Sequence, residues 1–368
     1  MLGLPALVLI LGIKDPKPSS ENKALAELPK LDAKELDPFP EAFDRWFNDH
    51  FVFRNSLVSA YNQLFIQVFN YSPKPKLVGL GKEGWFYLMN NEINNYTGKL
   101  QLTKRIAERS ISELNWRYDT CRAHGAEFMV VILPSKPQLY PEYLPSYIKP
   151  AKNGSFTTHF LENIKPKVKC QIIDLRPAIQ ERKKQGLLFY KTDNHWNNEG
   201  TYLAYRILLD SLNKKGYHLP SIRLEDCKLG DSVYPAGNIT RMINMEKDFV
   251  ENARYIFPKK ENYLQERPKE NYPCPVKFPY CWTYEEVRLN KNTELPGLLV
   301  FRESFTNDLM MDLLGGSFGR STYIFDSWEH GLDLTILQKE HPNLVLCMVM
   351  EGFLDCFSNY PNNPKLKK

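Results

Sequence analysis

The chain has 368 residues, 43% hydrophobic and 25% charged, a globular composition that excludes a disordered protein, a collagen-like fibre and a coiled coil. This length exceeds what one hydrophobic core usually organises, so it predicts two domains or one large domain with an insertion. Lys and Arg outnumber Asp and Glu by only 48 to 43, a formal charge of +5, which argues against nucleic acid as a partner because such binding concentrates basic charge.

The first element is the apolar run Leu2 to Ile13, which stops at Lys14-Asp15-Pro16. It is shorter than the ~20 residues of a membrane span. It reads as a signal h-region or the lower half of a membrane anchor, with a helix docked on the core as the alternative. Export would place the seven cysteines in an oxidising compartment. Their odd number leaves at least one free, and their scatter fits no zinc spacing. Cys274 and Cys281, bracketing a Pro-rich loop, are the expected bridge, whereas Cys347 sits in an apolar strand pattern as inert core.

Residues 14–40 are polar and Pro-studded, a linker. From Phe39 to Asn62 the pattern turns helical, with Phe43, Trp46, Phe47 and Phe51 forming one aromatic stripe. Gly79 to Tyr87 is a turn entering a short strand, and Ile106 to His124 is an amphipathic helix ending at Gly125. Strands and helices then alternate: apolar runs at Glu127–Leu133, Lys169–Leu175, Leu187–Tyr190, Leu298–Phe301, Thr322–Phe325 and Leu344–Met350, with helices near 178–184 and from 197 to Gly216. The latter helix would bury Tyr202, Leu203, Ile207 and Leu208. This rhythm predicts an α/β fold, a mainly parallel sheet with helices on both faces. Residues 225–294, rich in Pro, Tyr, Asn and charge, interrupt it and read as an irregular insertion over the sheet.

Chemistry in an open parallel sheet gathers beyond the carboxyl ends of its strands, and two such loops carry suitable groups. In Lys191-Thr192-Asp193-Asn194-His195-Trp196, residues two apart face one side of an extended segment. Asp193 can therefore accept from one ring nitrogen of His195 and leave the other free as a base, while Trp196 anchors the loop in the core. In Phe301-Arg302-Glu303-Ser304-Phe305 a strand runs straight into polar residues, and Ser304 is placed for a strand-to-helix turn that exposes its hydroxyl. Asp-x-His also occurs as a structural contact or a fragment of a metal site, and a Ser after a strand also serves as a helix cap. Aromatic-rich loops suit sugar stacking as well as ordinary packing.

Several short pieces, in order, resemble the alginate O-acetyltransferase-like group (AlgJ and AlgX), whose core is an SGNH-hydrolase-like, flavodoxin-like domain. They are Glu21-Asn22-Lys23 through Phe39-Pro40, Phe51-Val52-Phe53-Arg54, Gly81-Lys82-Glu83-Gly84-Trp85-Phe86, Leu133-Pro134-Ser135-Lys136 with Tyr140-Pro141-Glu142, Asp193-Asn194-His195-Trp196, and Phe301 to Phe305. Asp-x-His-Trp and its distant Ser are the specific part, and together the pieces cover most of residues 20–350. The resemblance implies a triad of Asp193, His195 and Ser304 moving acetyl groups onto an exported polysaccharide, with the Ser after the Asp-His pair. It implies a periplasmic or extracytoplasmic protein, inner-membrane anchored through its N-terminal segment. An acyl donor would arrive through a membrane-bound O-acyltransferase, and no cofactor or metal is needed. Residues 1–20 would be the signal or anchor and residues 21–368 the domain. Glu303 departs from the more usual Asp, and only the backbone N–H of Ser304 can be named as an oxyanion donor. Arg302, Lys136 and Tyr140 are candidates for binding a substrate carboxylate or hydroxyl, or for surface ion pairs and turn contacts. Two other functions compete with transfer: a plain acetyl-esterase, and a non-catalytic polysaccharide-binding scaffold that lacks the triad geometry. A polymer substrate also predicts an open cleft walled by residues 225–294 and the 136–140 loop.

Overall fold

The structure is a computed structural model describing residues 26–30, 37–51, 54–234, 237–266, 269–276, 278–326 and 328–366. The apolar run at residues 2–13 and the proposed 1–20 segment lie outside these. Among the described residues no helix is long and apolar enough to cross a membrane.

Eleven strands follow in chain order: β1 (Val78–Leu80), β2 (Phe86–Leu88), β3 (Glu127–Leu133), β4 (Gln171–Asp174), β5 (Cys227–Tyr234), β6 (Glu251–Pro258), β7 (Leu264–Gln265), β8 (Glu285–Asn290), β9 (Gly297–Arg302), β10 (Arg320–Phe325) and β11 (Leu344–Met350). Seven of them form one sheet in the order β4-β3-β11-β9-β10-β8-β7. The pairs from β4 through β10 are parallel, while β8 and β7 run antiparallel at one edge.

The central strands read as unbroken apolar runs because both faces are covered. Side chains alternate between the faces. Met129, Val131 and Leu133 of β3 join Val300, Leu346 and Met348 against Ala204, Tyr205 and Leu208 of helix Asn198–Asn213. Phe128, Val130 and Ile132 join Leu299, Phe301 and Cys347 against Leu114 and Cys121 of helix Lys104–Ala123. The expected α/β architecture, a mainly parallel sheet with helices on both faces, is thus realised.

Four local expectations need correction. The run at Leu187–Tyr190 adds no sheet strand; its one ladder contact is an antiparallel bridge from Phe189 to Trp196. Residues 225–294 are not an irregular overlay. They supply the β5–β6 hairpin, and β8 extends the main sheet. As an edge-side strand, β8 buries only part of its length and keeps the charged residues that hid it. The helix over 198–213 turns its core face one position further round, burying Thr201, Ala204, Tyr205, Leu208, Leu209 and Leu212. The helical stretch expected over residues 39–62 divides into helices Pro38–His50 and Arg54–Gln67; the aromatic stripe lies on the first and at its C-cap Phe51, and no residue of that helix is buried. Cys274 and Cys281 are disulfide-bonded, and Cys347 is buried and unpaired in β11.

Candidate active site

Two loops meet at the carboxyl ends of the central strands. β9 ends at Arg302, and Glu303-Ser304 follow in a tight turn closed by the Thr306 N–H donating to the Glu303 carbonyl at 3.1 Å. The Asn307 side chain then caps helix Asp308–Ser317 by accepting from the Met310 N–H. The second loop is pinched at its base, where the Asn197 N–H donates to the Leu188 carbonyl at 2.9 Å, leaving residues 191–195 at the tip.

Around that tip the chain supplies donors to one carboxylate. Asp193 Oδ1 accepts from the His195 N–H at 3.0 Å and lies 2.6 Å from His195 Nδ1. Its Oδ2 accepts from the Tyr234 hydroxyl at 2.8 Å and the Asn238 N–H at 2.6 Å. An ionised carboxylate only accepts, so the proton belongs on Nδ1 and Nε2 keeps its lone pair. Ser304 Oγ lies 2.8 Å from that Nε2. Trp196 is buried, and its indole N–H donates to the Phe305 carbonyl at 2.9 Å, tying the two loops together. Gly237 brings Asn238 into reach, since a Cβ there would fall 2.1 Å from the Thr192 carbonyl oxygen.

The electrostatics follow from these partners. Burial alone would raise the Asp193 pKa; the His195 charge and hydrogen bond, with the N–H groups of Asn238 and His195, instead hold it well below the usual carboxylate range. Burial pulls the His195 pKa down, but Asp193, aided by Glu92, leaves it raised above its ordinary value. The site has a second acidic side. Glu92 and Glu303 are buried and line the same cleft, each with an Oε1 that has no hydrogen-bond partner among the described residues. Burial pushes Glu92 up to about 7 against the pull of His195 and Lys136. Burial, then the neighbouring Glu92 charge, drives Glu303 well above its ordinary value.

The cleft, about 640 Å³, combines a polar side (Asn90, Glu92, Asn194, Asn238, Arg241) with an apolar one containing Phe305, Phe325, Trp328 and Phe353. Part of its wall comes from the 225–294 segment, as expected, but none comes from residues 136–140. The substrate-binding expectation fails geometrically for all three candidates. Lys136 is buried, and Nζ donates to the carbonyls of Phe86, Lys191 and Asp193 at 2.6, 2.8 and 2.8 Å. It is a strut under the Asp193 loop, with its pKa lowered to about 7 by burial against the pull of nearby carboxylates. The buried Tyr140 hydroxyl accepts from the Leu188 N–H, and Arg302 donates to the carbonyls of Thr306 and Thr283. Tyr234 and Asn238, remote in sequence and inside a segment read as an overlay, escaped sequence reasoning. Among the described residues no cluster of His, Cys, Asp and Glu could hold a metal ion.

Residues 78–254 match the family described as SGNH hydrolase-like domain, acetyltransferase AlgX. The probable alginate O-acetylase AlgJ of Pseudomonas syringae is 24% identical over 215 residues, 57% of this chain and 50% of that protein. Its namesake from Pseudomonas aeruginosa is 24% identical over 255 residues, 68% and 60% respectively. This chain therefore spans about half the length of the curated relatives it matches. In fold it is similar to the O-acetyltransferase domain of Pseudomonas putida AlgJ (TM-score 0.52, 16% identity, 76% of this chain and 92% of that one). It is also similar to Bacillus cereus PatB1 with a sulfonyl adduct (TM-score 0.55, 20% identity, 77% and 97%).

Proposed function

We propose that this chain, similar over residues 78–254 to the SGNH hydrolase-like domain of the AlgJ/AlgX-like family, is an exported O-acetyltransferase that acylates polysaccharide hydroxyls through Ser304, His195 and Asp193. The supporting observation is the continuous line from Asp193 Oδ1 to His195 Nδ1 at 2.6 Å and from His195 Nε2 to Ser304 Oγ at 2.8 Å. It lies at the strand ends where an α/β sheet performs its chemistry.

In this reading His195 Nε2 takes the Ser304 hydroxyl proton as Oγ attacks the acyl carbonyl, and Asp193 stabilises the imidazolium. The backbone N–H of Ser304 donates to the oxyanion. Asn194 lines the same cleft, with its side-chain oxygen already taken by the Asn238 amide at 3.3 Å and its NH₂ left to donate. His195 then protonates the departing donor. A sugar hydroxyl next gives its proton to His195 and attacks the acyl-enzyme; the Ser304–acyl bond breaks and Oγ recovers the proton. The donor would be supplied through a membrane-bound O-acyltransferase, and the N-terminal apolar run would hold the protein at the outer face of the inner membrane. The Cys274–Cys281 disulfide supports an oxidising, extracytoplasmic setting.

The test is a sulfonyl fluoride with a chromogenic acetyl ester. The reagent should add one sulfonyl group to Ser304 and abolish acetate release, and Ser304→Ala should neither take up the sulfonyl group nor release acetate. Ester turnover that persists in Ser304→Ala while falling with Asp193 or His195 substitution would point to an activated water and remove the serine from the mechanism.

A further inference from the structure

The loop leaving β10 carries a backbone conformation that its sequence does not favour. Phe325 ends β10 in register with Arg302 of β9, so this loop departs beside the Glu303-Ser304 turn. Within it Trp328 has φ 65° and His330 has φ 51°, in the left-handed region where a bulky side chain is an outlier. Such conformations persist only where the surroundings over-determine them. Here they do. The Asp326 carboxylate accepts from the N–H groups of His330 and Gly331 at 2.8 and 2.6 Å. The buried Arg117, paired with Glu113 at 2.6 Å, donates to the His330 carbonyl, and the Leu332 N–H donates to Asn362 at 2.8 Å.

What the clamp holds in place is one indole. Trp328 is half-buried, lies edge-on to Phe325 with ring centroids 5.5 Å apart, and stacks within 22° of Phe353. All three rings line the cleft that contains Ser304 and His195. The same cleft holds one oxygen each of Glu92 and Glu303 that has no donor among the described residues. A pyranose ring meets both needs, with an apolar C–H face for an aromatic ring and hydroxyls for bare acceptors.

We propose that Trp328 is the acceptor platform: its indole receives the C–H face of a sugar ring, holds a ring hydroxyl beside Ser304, and so sets the ratio of acyl transfer to hydrolysis. This rests on the acyl-transfer reading above. In transfer the sugar oxygen bonds to the acyl carbon, the bond to Ser304 Oγ breaks, and the sugar proton passes through His195 to Oγ. Water in the same position gives free acetate by the same proton path. A ring stacked on Trp328 displaces that water, so losing the indole favours hydrolysis.

The test uses the full chain with 4-nitrophenyl acetate as donor and two acceptors, a neutral β-glucan oligomer and a mannuronate oligomer. Acetylated oligomer is measured by mass spectrometry against acetate released. In Trp328→Gly, which accepts the positive φ without strain, the transfer-to-hydrolysis ratio should fall about tenfold or more, the size seen when an aromatic anchor is truncated. Its thermal midpoint should equal or exceed that of the parent, which loss of a merely structural ring would not produce. Trp328→Phe should fall between the two, and it carries the test if the glycine variant does not fold. An unchanged ratio in the folded variant overturns the proposal. A wild-type chain sulfonylated at Ser304 that acetylates neither oligomer also overturns it, while leaving the serine nucleophile standing. Failure to be sulfonylated at all removes the acyl-transfer reading and this inference with it.

Discussion

Two acidic sides of one active site are both well hidden from water and yet behave oppositely. Asp193 accepts four hydrogen bonds and sits against a histidine, so it stays ionised. Glu92 and Glu303 each leave an oxygen without a donor, and burial pushes both upward. Burial by itself disfavours every carboxylate; the donors around it decide which one keeps its charge. Acid and base assignments usually follow from titratable groups whose surroundings push them apart, and this site separates its carboxyls in that way.

The comparison breaks most visibly at Asp193. Asp193→Asn offers an N–H where His195 needs an acceptor, and the corresponding tautomer error in serine proteases costs ~10⁴ in turnover. A similar loss in chromogenic-ester kcat is expected, and His195→Ala combined with Ser304→Ala should be no worse than either alone. Turnover within tenfold of wild type in Asp193→Asn would show that the carboxylate plays no catalytic part.

A second effect concerns stability and has the opposite sign on the two sides. Glu92 titrates at an ordinary 4.5 when unfolded and near 7 when folded, so the folded state holds the extra proton between those values. Stability therefore falls as pH rises through that window, by roughly 3 kcal/mol in total. Glu92→Gln should flatten the slope in urea titrations from pH 4.5 to 7, and an unchanged slope would contradict the burial argument. The depressed Asp193 stabilises the fold above its unfolded value and loses that contribution as the solution is acidified below it.

The pH profile of ester turnover sharpens the contrast further. His195 must be neutral to act as base, and its raised pKa places the rising limb of kcat/KM above pH 6.5. Charge neutralisation in Asp193→Asn should move the residual limb to lower pH. The smallest change is expected from Tyr234→Phe, which removes one of the four hydrogen bonds to Asp193. A loss of about tenfold in kcat is expected, the low end for one hydrogen bond to a charged group; no change would make the Tyr234 contact incidental.

Trp196 shows how much was legible locally. The alternation in Asp193-Asn194-His195-Trp196 put the carboxylate and imidazole on one side and the indole on the other, and the structure has that arrangement. Ser304 was legible as the polar residue immediately beyond an apolar strand. Lys136, Tyr140 and Arg302 were misread because a polar side chain beside a motif looks like a binding group in one dimension. All three instead satisfy backbone carbonyls or N–H groups in the interior. Glu303 could be noted as a departure, but its solitude depends on what surrounds it.

Sequence periodicity was sufficient for the parallel sheet with helices on both faces, because strands β3, β9 and β11 are buried on both sides and so admit almost nothing polar. It was also sufficient for the spacing of Asp193 and His195, a property of residues two apart in extended backbone. Tertiary structure alone decided that Ser304, 109 residues away, reaches His195 Nε2. It alone brought Tyr234 and Asn238 to Asp193, left one oxygen each of Glu92 and Glu303 without a donor among the described residues, and turned Trp328 into the cleft. Each of these depends on a distance or a desolvated surface between segments far apart in the chain, and neither is encoded in the order of neighbouring residues.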